Sequence, residues 1–97
     1  MTDSRDYKSY LLERLMDPKE AAAYLNAALE EDDIAVFTVA LKDVIDSLGG
    51  GVSKVAKKSH VNRESLYKTL SKKGNPKLQT IGLLLKGLGF EFFIKAT

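Results

Sequence analysis

Apolar positions along this chain recur with helical spacing almost throughout, and the polar residues between them mark where each helix starts and stops. Leu11, Leu12 and Leu15 form a short apolar face over about residues 7–15. Asp17-Pro18-Lys19-Glu20 is a start signal, with Asp17 as cap, Pro18 at the first helical position and Glu20 where a capping box places its acid. The helix it opens runs to Leu29 and is expected to bury Ala22, Leu25 and Leu29. Glu30-Glu31-Asp32-Asp33 then closes one helix and opens another, its carboxylates favouring the positive end of the next helix dipole. Ile34, Phe37, Leu41, Val44 and Leu48, with Ala40 on the same face, predict a buried core helix over residues 33–48, stopped by Gly49-Gly50-Gly51.

Beyond the glycines the helices shorten. Ser53 is placed to cap one that closes near Ser59, and Asn62 to cap the next, which ends at Gly74-Asn75-Pro76. Leu78, Ile81, Leu85 and Leu88 outline a last helix, weakened at Gly82 and Gly87 by roughly 1 kcal/mol each relative to alanine. From Phe90 to Lys95 the aromatic run FEFFIK reads as one short β-strand. The expected fold class is therefore mainly α, a small helical domain with one C-terminal strand. Residues 1–32 form an acidic helical arm and residues 33–97 the remaining domain.

The two short helices in the middle have the pattern of a helix-turn-helix, which presents the start of its second helix to the DNA major groove. Where the helices cross a small residue is needed, and Ala56 supplies it. Four residues on, the sharp turn wants positive φ, and His60 stands where glycine would be cheaper. Val61 is apolar and faces inward, with Leu66 and Leu70 beneath the second helix and Val55 completing the small core. The outward set is Asn62, Arg63, Glu64, Tyr67 and Lys68, with Ser65 in the cap. Arg63 suits a bidentate contact to guanine, Asn62 either the cap or adenine, and Glu64 either cytosine or the orientation of Arg63. Tyr67 suits a phosphate contact or packing on Lys54. Ser53 and Lys54 open the preceding helix, where backbone N–H groups and an ammonium hold phosphate, and Lys57, Lys58, Lys68, Lys72 and Lys73 add phosphate neutralisation.

Charge sharpens this picture. The net +2 hides 5 Lys/Arg against 11 Asp/Glu in residues 1–50, a net −6, and 10 against 2 in residues 51–97, a net +8. The basic half, the one with the helix pair, suits a polyanion, and the acidic half suits a basic protein. There is no cysteine and a single histidine, His60, so disulfides are excluded and neither a metal nor a cofactor is expected. No apolar run approaches the roughly 20 residues that span a bilayer, and the start of the chain lacks a signal-peptide core, so no membrane association and a cytoplasmic location are expected. No enzyme is expected either. The carboxylates lie on helical surfaces without a His or Cys set, and Ser65 and Tyr67 have no base partner.

NRESLYKTLSKKGNP at residues 62–76, a leucine-rich helix and GLGFEF after it, and DYKSYLLERLMDPKEAAAYLNAALEE upstream together resemble a family. They are similar to the helix-turn-helix antidotes of bacterial addiction modules, within the Xre/Cro-like repressor superfamily, over about residues 7–95. The resemblance implies a lambda-repressor-like helix-turn-helix and a type II antitoxin that neutralises a small, co-encoded toxin, commonly basic, and represses its own operon as a dimer. By position, Ser53, Lys54 and residues 62–68 become the DNA-contacting set. His60 and Lys77 depart from the family's usual turn glycine and better helix cap. Double-stranded DNA of its own promoter, the toxin, and a second copy bound through Phe90 to Lys95 are the expected partners. On charge, Glu30, Glu31, Asp32 and Asp33 are expected to face the toxin. A repressor without a toxin, or a protein-interaction adaptor, are the rival readings.

Overall fold

A computed structural model describes residues 4–48, 51–71 and 76–97. Among the described residues there are six helices and no strand: α1 (Ser4–Leu15), α2 (Pro18–Leu29), α3 (Ile34–Asp46), α4 (Gly51–Ser59), α5 (Arg63–Leu70) and α6 (Leu78–Gly87). None is long and apolar enough to cross a membrane.

The caps are where local chemistry demands them. Asp17 Oδ1 accepts from Lys19 N at 2.9 Å and Asp33 Oδ1 from Ala35 N at 2.9 Å, each satisfying a donor that the first turn leaves free. Glu20 does not close a capping box. Its carboxylate accepts instead from Arg14 Nη2 at 2.7 Å, and the Asp17 N–H donates to Arg14 O at 3.2 Å, tying the α1–α2 turn together. This charge contact also raises the Arg14 pKa, first through the hydrogen bond to Glu20. Ser53, expected as a cap, lies inside α4, because the helix already begins at Gly51, whose φ of +50° makes the entry turn. Gly49 and Gly50 lie outside the described residues, and so do Lys72, Lys73 and, of the expected α5 terminator, Gly74 and Asn75.

α3 is the central element, packing against α1, α2, α4 and α5, while α6 closes over α4. Leu41, Val44 and Ile45 of α3 meet Val55, Leu66 and Leu84 in the fully buried centre. α2 is rotated from its expected face, while α6 keeps the expected Ile81, Leu85 and Leu88 inward and departs only at its first residue. In α2 the inward residues are Ala21, Leu25 and Ala28, with Ala22 half-buried and Leu29 exposed. In α6 Leu84 is buried and Leu78 is in water, so the stripe runs Ile81, Leu84, Leu85. Ile34 likewise faces out, one turn before Phe37. α1 and α2 are fixed to α3 by polar contacts as well. Tyr24 Oη donates to Asp43 Oδ2 at 2.7 Å, and Lys8 lies 3.5 Å from Asp46 Oδ2.

The strand expected from Phe90 to Lys95 is not formed. A strand needs an edge to pair with, and among the described residues no other strand offers one. The Phe90 N–H instead donates to Leu85 O at 2.7 Å, across Gly89 at φ +91°, completing the C-terminal cap of α6. The tail then runs irregularly along the molecule, with the Phe92 ring over Gly82 and a cavity of about 330 Å³ left against Leu25 and Leu29. Phe93 and Ile94 are 83% and 95% exposed.

Candidate nucleic-acid interface

α4 and α5 are joined by three residues whose backbone is unusual at one point. His60 has φ 58°, the left-handed conformation expected at the turn, and the Val61 N–H donates back to Ala56 O at 3.2 Å. This six-to-one bond closes α4 as the Phe90 bond closes α6, with histidine in the position that glycine holds there. Val61 packs half-buried against the core, and Ala56 and Val55 are buried where the helices meet. Asn62 then caps α5, its Oδ1 accepting from Ser65 N at 2.7 Å. Of the two roles open to it, Asn62 takes the cap here.

α5 divides cleanly. Leu66, Thr69 and Leu70 are buried, whereas Arg63, Glu64, Tyr67 and Lys68 project into water. Thr69 satisfies its hydroxyl by donating to Ser65 O at 2.9 Å, within the helix. On the outer face the Arg63 guanidinium stands over the Tyr67 ring, 5.8 Å from its centre. Tyr67 is thus engaged by Arg63, one turn away on its own helix. Glu64 pairs loosely with Lys68, at 4.0 Å with both side chains more than three-quarters exposed. A pair this open adds little to stability.

Ser53, Lys54, Lys57 and Lys58 are exposed on α4. Of the sequence-derived set, Ser53, Lys54, Asn62, Arg63, Glu64, Ser65, Tyr67 and Lys68 all lie at the surface of the α4–α5 pair, while Lys72 and Lys73 fall outside the described residues. Chemically the surface offers a planar guanidinium over an aromatic ring, several exposed ammonium groups, and a helix N-terminus.

One close approach holds this unit in place and was not read from the sequence. At Gly87 an added Cβ would overlap the Ser59 hydroxyl and lie 3.2 Å from the Ser59 Cα, so α6 meets the end of α4 backbone to backbone. Ser59 Oγ is buried there without a hydrogen-bond partner among the described residues. A second unread feature is an apolar groove between α2 and α3. Ile34, Val36 and Val39 are apolar on the outer side of a helix whose inner side is core, and that all-round apolarity is the signal that marks such a face.

A family model described as "Probable addiction module antidote protein" matches residues 6–96. A curated Haemophilus influenzae protein, itself described as "Uncharacterized protein", is 35% identical over 83 residues, which cover 86% of this chain and 84% of the relative. No solved structure matches. The match over nearly the whole chain places it plainly: the protein belongs to the family of probable addiction module antidotes, a membership that implies a toxin partner.

Proposed function

We propose that this antidote is a DNA-binding antitoxin of the Xre/Cro-like helix-turn-helix type, which neutralises a co-encoded toxin and represses its own operon. The observation that carries the DNA-binding part is the α4–α5 pair. It has a tight left-handed turn at His60, a capped second helix with Arg63, Tyr67 and Lys68 exposed on it, and Lys54, Lys57 and Lys58 exposed on the helix before. A helix braced from below by Leu66 and Leu70, with its polar side outward, can enter a groove without rearranging the core. Arg63 would read guanine, and the lysines would hold phosphates and set the register. No catalytic role is part of this reading.

Two half-sites about 34 Å apart require two recognition helices, hence a homodimer. The exposed Phe93 and Ile94 of the tail are the surface we assign to it, since isolated apolar side chains in water gain most from mutual burial. Replacing both with aspartate should leave the helical signal intact and yield a monomer by sedimentation. A dimer that persists would rule the tail out.

The whole proposal is tested by co-expressing the chain with the product of the adjacent gene and assaying for a complex and for binding to the promoter between or upstream of them. A chain that captures neither is not an antitoxin of this kind.

A further inference from the structure

Resting on the antitoxin reading above, we infer that the groove between α2 and α3 is where the toxin docks, and that it takes a helix of a basic protein, apolar along one face and flanked by lysine or arginine. The groove has a volume of about 480 Å³. Its floor is made of small side chains, Ala28 and Ala40 among them, and its walls of Tyr24, Val36 and Val39. Val36 and Val39 are 40% and 54% exposed, on a helix that already buries Phe37, Leu41, Val44 and Ile45 on its other side. Stability of the monomer does not call for these valines. A floor of alanines lets a second helix approach to about the 8–10 Å typical of packed helices, with the larger wall residues locking into its side-chain grooves.

Charge selects the occupant. Glu31 lines the groove, and Glu30 and Asp32 adjoin it on the α2–α3 turn. Among the described residues no cation stands within ion-pair distance of these three. Glu20, Asp43 and Asp46 of the same half are by contrast matched by Arg14, Lys8 and Lys42. An apolar cleft with an unmatched acidic rim is complementary to an apolar helix with a basic margin. It also repels DNA, so the polyanion and the basic protein address different helices of one molecule. The acidic turn alone would only steer the toxin; the apolar surface beside it would carry the affinity.

The test uses the full chain and the purified product of the adjacent gene. Val39→Lys removes apolar area and adds a repelling charge, and Glu31→Lys reverses the rim. Each should weaken the complex by about tenfold or more, and Glu31→Lys should also flatten its salt dependence, because rim charges act through screened attraction. Both should keep the helical signal and promoter affinity of the parent. Amide exchange on the unaltered chain provides a reading independent of the variants' folding, with protection on complex formation expected over residues 24–40. If the parent chain does not bind the product, the antitoxin reading and this one fail together. If it binds and both variants bind equally well, or if protection appears only at residues 60–70 or 90–97, the groove is not the docking site although the antitoxin reading stands. If Val39→Lys converts a dimer to a monomer with toxin affinity unchanged, the groove seats a second copy and the inference is overturned.

Discussion

α6 carries two glycines that the same substitution should drive in opposite directions. Alanine is favoured over glycine in a helix interior by about 1 kcal/mol, because glycine loses more backbone freedom on folding. At Gly82 the added Cβ would lie 3.7 Å from Phe92 Cε2, an ordinary van der Waals contact, so Gly82→Ala should stabilise the protein. Its gain should be about 0.5–1 kcal/mol. At Gly87 the added carbon would overlap Ser59 Oγ and stand 3.1 Å from Ser59 Cβ and 3.2 Å from its Cα. A hydroxyl can rotate, but backbone at that distance must move, separating α6 from α4. Overpacking of this kind costs about 1–3 kcal/mol, and the offsetting propensity gain is small at the last residue of the helix, leaving a net loss of about 1–2 kcal/mol. With a urea slope of about 1 kcal/mol/M for a domain this small, the two variants should differ in midpoint by about 2 M when helix content is followed. Ser59→Gly in the Gly87→Ala background should recover part of the loss by vacating the space. Midpoints shifted in the same direction by both glycine variants would refute the close approach of the two helices.

Other perturbations have equally defined signs. His60→Gly should stabilise by about 0.5–1 kcal/mol, the relief of left-handed strain less the added freedom of the unfolded chain, and a lower thermal midpoint would show that His60 makes a contact of greater worth. Lys77 begins α6 without a side-chain cap bond, so Lys77→Asp should add about 1 kcal/mol in the same denaturation assay. Burial, and then the hydrogen bond to Asp43, hold the Tyr24 hydroxyl well above its ordinary pKa. Folding therefore favours the protonated form, and the contribution is fully present below about pH 10, where the unfolded chain's tyrosines ionise, and falls away as pH rises further. Comparing Tyr24→Phe with the parent should show a stability difference that shrinks above pH 10; a difference independent of pH would refute the coupling.

The helices were legible where a single side chain decides a backbone conformation. Asp17 and Asn62 each cap the helix assigned to them, and His60 takes the positive φ that the turn pattern required, whereas Asp33, expected inside its helix, proves to be the cap. Helix rotation was less legible in α2, because a segment reading AAAYLNAAL offers apolar residues on several faces and only packing chooses Ala21 and Ala28 over Ala22 and Leu29. The tail misled for a different reason. FEFFIK has the composition of a strand, but a strand is a relation between two segments, and here Phe90 closes α6 while Phe92 covers Gly82. Gly87 looked like a weak point of its helix, whereas its partner Ser59 lies 28 positions away and no local pattern announces such a contact. The exposure of Arg63, Glu64, Tyr67 and Lys68 was legible because the outer face of a capped helix follows from its inner one. The groove beside Val36 and Val39 went unread, its one trace in the sequence being an excess of apolar residues on α3.

On the proposed function, the α5 face reads a DNA sequence. Its most direct test is equilibrium binding of the full chain to its own promoter and to a scrambled duplex of equal length, as salt is raised. The proposed function predicts preference for the promoter and a logarithmic salt slope of about −0.9 for each phosphate held. It also predicts a loss of about 1–3 kcal/mol on Arg63→Ala, with specificity relaxed at one base pair. Equal affinity for both duplexes, unchanged by Arg63→Ala, would contradict it.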